Sequence, residues 1–255
     1  MNVISNQLLK IQNANFKYLL VSGCSFTVND YIESIAWPNF LADWTGTEVI
    51  NLAVASGGSN HISKSIMYYI ETHQLPIEET FVIAMWSGVD RASCIADSSL
   101  YTVEQRQHPT FDYDEYNTYC AFGALDWGPT TALAKSYKEI QSANSLSLDT
   151  YLNIISLQNY LQNKNYRYAF IPYSNIFEGY SDFGAVNFLK QLKKLGLKLN
   201  TQDWICTKPR QTLDEYSLYH DMRAEDGKHP SMKAHEQWTK TILMPLLTKQ
   251  GILSA

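Results

Sequence analysis

The chain has 255 residues, 45% of them hydrophobic and 18% charged, with 17 Tyr, 10 Phe and 6 Trp. That is enough apolar chain to bury a real core, which excludes both a disulfide-stapled mini-protein and a disordered segment. A net charge of −5, with 20 Lys and Arg against 25 Asp and Glu and no basic block, supplies none of the phosphate-neutralising surface of a nucleic-acid binder.

The N-terminal residues Met1 to Gln7 lack a basic region followed by a long apolar run, and no stretch approaches the roughly 18 apolar residues of a membrane span. Cysteines at 24, 94, 120 and 206 are too scattered for a CxxC metal site and too few for a disulfide scaffold. The expectation is a soluble, unsecreted, cytoplasmic protein with reduced thiols, no membrane partner and no bound metal.

Three short apolar runs end in small-residue turns: Tyr18–Val21 before Ser22-Gly23, Val49–Val54 before Ser56-Gly57-Gly58-Ser59, and Phe81–Trp86 before Ser87-Gly88. Each has the composition of a strand buried on both faces. The segments Ile32–Trp44 and Asn60–His73 between them have helical character, and the alternation predicts a parallel α/β sheet. A fourth strand is expected at Tyr166–Ile171, stopped by Pro172 and preceded by a crossover helix over Thr150–Asn163, with Leu152, Ile155, Leu157 and Leu161 near helical spacing. Lys190–Lys198 reads as an amphipathic surface helix. Near the end, Ser231 is placed to cap a last helix whose inner face holds Trp238, Ile242 and Leu246, with Pro245 as a kink or stop.

Residues 92–149 break the alternation and read as an insertion in a single domain spanning 1–255. Its aromatics (Tyr101, Phe111, Tyr113, Tyr116, Tyr119, Phe122 and Trp127) either roof a substrate pocket or bury one another.

Ligands of open parallel sheets sit beyond the carboxyl ends of the strands, so the residues after each strand hold the chemistry. Gly23-Cys24-Ser25-Phe26-Thr27 puts a serine on a tight turn after the first strand, with its hydroxyl and its own N–H facing the sheet edge. Serine is weakly nucleophilic without a base, and Asp226 with His229 has the spacing for a carboxylate to reach Nδ1 while Nε2 faces the serine. Against this stand plainer readings: Ser25 and Thr27 as helix caps, and Asp226–Pro230 as a surface turn. Cys24 is a competing nucleophile, but its side chain should point away from that of Ser25. Histidines 61, 73, 108, 220 and 235 show no metal-ligand spacing.

Taken in order, Gly23–Thr27, then Asn51-Leu52-Ala53-Val54 leading to Gly57-Gly58-Ser59-Asn60, then the strand ending at Trp86-Ser87, then Asp226-Gly227-Lys228-His229-Pro230, resemble the SGNH (GDSL-type) hydrolase superfamily. The resemblance implies a three-layer α/β/α sandwich with a parallel, flavodoxin-like sheet, and ester hydrolysis through an acyl-serine without a cofactor. It implies Ser25 as nucleophile, His229 as general base, Asp226 as its orienting carboxylate, and the Gly57 N–H as an oxyanion donor. The substrate it implies is a small-molecule or carbohydrate ester, with O-deacetylation of a carbohydrate foremost.

Two positions depart from the family pattern. Its first-block Asp is Cys24 here, and its Gly-x-Asn-Asp third block is Trp86-Ser87-Gly88-Val89-Asp90-Arg91, which has no Asn. Loss of one oxyanion donor costs about 2.7–4 kcal/mol of transition-state stabilisation, so Ser87 or Arg91 is expected to substitute. The alternatives are a binding or assembly protein on the same scaffold, or an acyltransferase.

Overall fold

Leu19, Leu20 and Val21 are all fully buried, because the strand that carries them is covered on both faces. A computed structural model of the chain describes residues 14–28, 35–89, 91–97, 117–124, 142–177 and 187–254. Strand β1 (Tyr18–Ser22) pairs in parallel with β2 (Glu48–Asn51) on one side and with β3 (Thr80–Trp86) on the other. An antiparallel pair, β4 (Arg91–Asp97) and β5 (Asn117–Ala124), forms its own two-stranded sheet. Strand β6 (Arg167–Pro172) pairs with β3 and completes the four-stranded parallel order β2-β1-β3-β6. A single parallel bridge from Phe170 to Trp204 continues that sheet past β6.

Alternation along the strands separates two cores. Leu19, Val21, Phe81, Ile83, Met85 and Ile171 face one side, packed with Trp37 and Leu41 of α1 (Trp37–Thr45) and with residues of the C-terminal helices. Leu20, Val82, Ala84, Trp86 and Phe170 face the other, against Ile62, Ile66 and Ile70 of α2 (Ser59–His73) and Ile154, Leu157 and Leu161 of α3 (Ala143–Asn163). Helix α4 (Phe188–Lys194) closes that second layer through Phe188 and Leu192. The result is the parallel central sheet that the alternation of runs predicts, in the three-layer α/β/α arrangement that the resemblance implies.

Boundaries move where capping overrides the apolar pattern. Helix α3 begins at Ala143 rather than at Thr150, because the Ser142 hydroxyl accepts the Ser145 N–H and starts the helix inside the stretch read as an insertion. The β4–β5 pair lies in the same stretch. Of its aromatics, Tyr119 and Phe122 fall on β5; Tyr101, Phe111, Tyr113, Tyr116 and Trp127 lie outside the described residues.

Helix α5 (Leu213–Tyr219) precedes the tail. There Ser231 caps α6 (Met232–Trp238) as expected, accepting the Ala234 N–H, but Pro245 acts one turn earlier than a simple stop. Proline has no N–H, and its ring crowds the carbonyl four residues back, here that of Thr241. The chain answers with a π-turn over Thr239–Leu243, where Met244 N–H reaches the Thr239 carbonyl, before α7 (Met244–Lys249) resumes. The extra residue rotates the inner face: Trp238, Leu243 and Leu247 are buried, whereas Ile242 and Leu246 are only partly so.

Among the described residues no helix is long and apolar enough to cross a membrane.

Candidate active site

The turn after β1 is built by what glycine allows. A Cβ on Gly23 would lie 2.3 Å from the Thr27 hydroxyl oxygen and 2.8 Å from Thr27 Cβ. Thr27 cannot easily yield: it is fully buried, its Oγ1 accepts the Trp37 indole N–H at 3.4 Å and donates to Met85 Sδ at 3.3 Å. The Thr27 N–H returns to the Cys24 carbonyl at 2.8 Å, which closes the turn around Ser25. Gly23→Ala is therefore expected to destabilise the fold by about 1–3 kcal/mol and to impair the site more than its stability loss explains. Thermal unfolding of the variant, read beside its activity, checks this.

Asn51, at the end of β2, stitches the next loop to this turn. Its side chain donates to the Thr27 carbonyl at 2.6 Å and accepts the Ala53 N–H at 3.0 Å. The Asn-Leu-Ala-Val motif carried this residue, but its type alone did not disclose that both ends of its amide are used. Gly57 packs onto the same turn; a Cβ there would meet the Gly23 carbonyl at 2.9 Å.

The tail brings the second half. Ala224 N–H donates to the His229 carbonyl (2.7 Å) and Ser231 N–H to the Met222 carbonyl (2.9 Å), so residues 222–231 form a tight hairpin with Gly227 in the left-handed region at its tip (φ +67°). His229 Nε2 lies 3.0 Å from Ser25 Oγ, and Nδ1 lies 2.5 Å from Asp226 Oδ2. The other oxygen, Asp226 Oδ1, accepts the N–H groups of Lys228 and His229, each at 2.9 Å.

These bonds assign the tautomer. An ionised carboxylate can only accept, so Nδ1 carries the proton and the Nε2 lone pair faces the Ser25 hydroxyl. Burial works to raise the Asp226 pKa, but the imidazole hydrogen bond, the two backbone N–H groups and the charge of His229 outweigh it and hold the carboxyl at about 2. Ser25 and His229 are both buried, the ring of Phe26 lies 5.4 Å from that of His229, and Tyr173 packs edge-on against Phe26 at 5.0 Å.

The residues expected at the oxyanion are placed less simply. The Gly57 N–H donates to the Val54 carbonyl at 3.0 Å, so it serves its own turn instead of the cleft that the resemblance implied for it. The physical reason is a tight turn over Val54–Gly57 with Ser56 in the left-handed region (φ +62°). The Ser25 N–H meets no backbone carbonyl among the described residues. Ser87 leaves β3 at the same sheet edge as Ser25, and its hydroxyl is buried without a hydrogen-bond partner among the described residues. Arg91 N–H closes a turn onto the Gly88 carbonyl (3.2 Å), and its buried guanidinium lies over the Tyr173 ring at 5.2 Å. Cys24 is fully buried in the core on the α1 side, which removes its thiol from the cleft.

A cavity of about 240 Å³ is lined by Ser59, Asn60, Arg91, Asp149, Thr150 and Asn153 together with apolar side chains; Arg91 is its one link to the residues expected at the oxyanion, and Ser25, Asp226 and His229 do not line it. Among the described residues, no three His, Cys, Asp or Glu side chains cluster to hold a metal ion.

The sequence model of a family of unknown function, DUF6071, matches residues 22–253. The chain belongs to DUF6071. No curated protein matches it. Solved structures similar to this DUF6071 chain across nearly its full length are GDSL-type lipases and esterases. A psychrotrophic esterase, EstA, from Pseudoalteromonas sp. is 13% identical with a TM-score of 0.41, covering 91% of this chain and 99% of its own. A GDSL-like lipase from Bacteroides thetaiotaomicron is 10% identical (TM-score 0.43, 92% and 89%). An acetylxylan esterase, Axe2, from Geobacillus stearothermophilus is 12% identical (TM-score 0.42, 94% and 95%).

Proposed function

We propose that this DUF6071 protein is a serine ester hydrolase. One observation carries the reading: a buried hydroxyl 3.0 Å from an imidazole whose other nitrogen is fixed by a carboxylate. No other set of three polar groups described above combines a nucleophile, a base and an orienting acid.

In this reading Ser25 Oγ attacks the ester carbonyl carbon as His229 Nε2 takes the hydroxyl proton. The carbonyl oxygen becomes the oxyanion, held by the Ser25 N–H with Ser87 Oγ or the Arg91 guanidinium in place of the missing Asn. As the tetrahedral adduct collapses, the C–O bond to the alcohol breaks and the imidazolium returns its proton to the departing oxygen. Water then attacks the acyl-serine by the reverse proton path and releases the acid. Asp226 remains ionised throughout, consistent with its depressed pKa.

The cavity is small against the roughly 300–1,000 Å³ of typical ligand pockets, and its lining mixes hydrogen-bonding side chains with Val89, Leu146 and Leu152. The substrate class we propose, an ester of a small acyl group with a hydroxyl-rich alcohol such as an O-acetylated carbohydrate, rests on the resemblance of the sequence motifs and not on this cavity.

A second reading has an observation in its favour. With the Gly57 N–H engaged by Val54 and no third-block Asn, a binding or assembly protein on this scaffold would need neither donor. Rapid-mixing assay of p-nitrophenyl acetate separates the two: a hydrolase releases a burst of p-nitrophenol near one equivalent per chain, followed by slower turnover. A progress curve identical to buffer would favour the binding protein.

A further inference from the structure

The hairpin that carries Asp226 and His229 is tethered by a residue that the sequence motifs do not mark. Arg223 Nη1 donates to the Lys228 carbonyl at 2.7 Å and lies 2.7 Å from Asp214 Oδ1. The pair is largely buried, with side chains 14% and 4% exposed. Lys228 is thus held at both ends of its peptide units: its carbonyl by Arg223, its N–H by Asp226 Oδ1. Asp214 is fixed in turn, since its N–H donates to the Tyr173 carbonyl (3.0 Å) and Tyr173 N–H donates to the Trp86 carbonyl (3.0 Å). Tyr173 also packs on Phe26, the neighbour of Ser25 in the chain.

The contacts close a circuit. From the carboxyl edge of β3 it runs through Tyr173, Asp214 and Arg223 to Lys228, and from there to the carboxylate that sets the imidazole facing Ser25. We propose that Arg223, seated on Asp214, is a positioning residue that fixes the angle at which Asp226 and His229 meet the nucleophile. A buried ion pair is weak ground for stability, because desolvation offsets its attraction. Orientation is a different matter, since a shift of about 1 Å in a catalytic group can cost on the order of 100-fold in rate. Both contacts are made by the one nitrogen Nη1, and lysine, which keeps the charge opposite Asp214, ends one atom nearer the backbone, so its ammonium cannot meet both partners in the same geometry.

The activity arm of the test rests on the hydrolase reading; the spectroscopic arm does not. Arg223→Lys, Arg223→Met and Asp214→Asn are compared with wild type in p-nitrophenyl acetate turnover, thermal unfolding and the deshielded proton resonance of the His229 Nδ1–H. Arg223→Lys is expected to unfold near the wild-type temperature, lose about 10- to 100-fold in kcat at nearly unchanged KM, and shift or broaden that resonance. Arg223→Met combined with Asp214→Asn should lose no more than the worse single change, as expected for residues acting as one unit. Wild-type kcat and an unmoved resonance in Arg223→Lys would overturn the proposal, even if Arg223→Met fails to fold. If wild type shows no turnover, the hydrolase reading fails while the resonance in the same variants still decides the role of Arg223.

Discussion

Ser25→Ala and His229→Ala are each expected to lower kcat/KM for p-nitrophenyl acetate by on the order of 10⁴-fold or to the buffer rate, and the double variant should be no worse than either alone. The reason is geometric. Ser25 Oγ has no strong nucleophilic character unless its proton can pass to His229 Nε2 at 3.0 Å, so either residue removes the same step. Asp226→Ala should cost less, because the base survives with a free choice of tautomer, but its loss should still exceed about 100-fold. Steady-state kinetics of the four variants decide this, and additive losses would mean that the groups do not act together. None of these substitutions should change the denaturant dependence of unfolding, since Ser25 and His229 contribute little apolar surface.

The second large effect concerns acid stability and comes from histidines outside the site. His61, whose Nε2 donates to the Leu52 carbonyl at 2.8 Å, is driven by burial from 6.5 to about 4, only partly opposed by that bond. His235 accepts the Trp37 N–H on Nδ1 at 3.3 Å, and burial, aided by the charge of His229, takes it to about 3. Both are neutral in the folded chain and free to protonate once it unfolds. The unfolded state therefore binds more protons as pH falls through 6.5, and folding loses free energy with each step down. Between pH 7 and pH 5 the two together are expected to remove about 4 kcal/mol, a large share of a typical domain's 5–15 kcal/mol. Asp226 acts in a lower window. Its carboxyl is depressed from 3.8 to about 2, so its contribution is complete above pH 3.8 and disappears only as pH falls from there toward 2.

Urea unfolding at pH 7 and pH 5 measures the drop. His61→Gln can keep a donor toward Leu52, and His235→Asn can keep an acceptor toward Trp37, so the pair should flatten the pH dependence even where it lowers stability at pH 7. An unchanged midpoint between pH 7 and pH 5 in the wild-type chain would contradict the account.

How much of this the sequence disclosed depends on whether the governing interaction is local. The runs Leu19-Leu20-Val21 and Phe81–Trp86 are apolar on both faces because helices cover both sides of the sheet, and such runs declare themselves without any partner. Ser231 and the Asp226–His229 spacing are equally local: one hydroxyl three residues from an orphan N–H, one carboxylate three residues from an imidazole. The meeting of Ser25 with His229 was a matter of order and resemblance, since 204 residues separate them.

What escaped the sequence depends on backbone detail or on distant partners. The engagement of the Gly57 N–H by Val54 follows from a tight turn in which Ser56 takes a left-handed backbone (φ +62°), a conformation that a serine does not announce. The π-turn before Pro245 was hidden because proline at that position is compatible with a stop, a kink or a widened turn. Arg223 and Asp214 look like ordinary charges in a polar stretch; only folding makes them a largely buried pair that tethers the hairpin carrying Asp226 and His229. The β4–β5 pair is not legible in the sequence because strand pairing across a gap of 19 residues leaves little trace in either strand alone.

Covalent labelling by a fluorophosphonate, mapped by mass spectrometry on the native protein, tests the central claim most directly. The reagent phosphonylates only a serine activated by a neighbouring base, so the account predicts one adduct, on the peptide containing Ser25, and none in His229→Ala. An adduct on Cys24, or no adduct while the protein is folded, would contradict it.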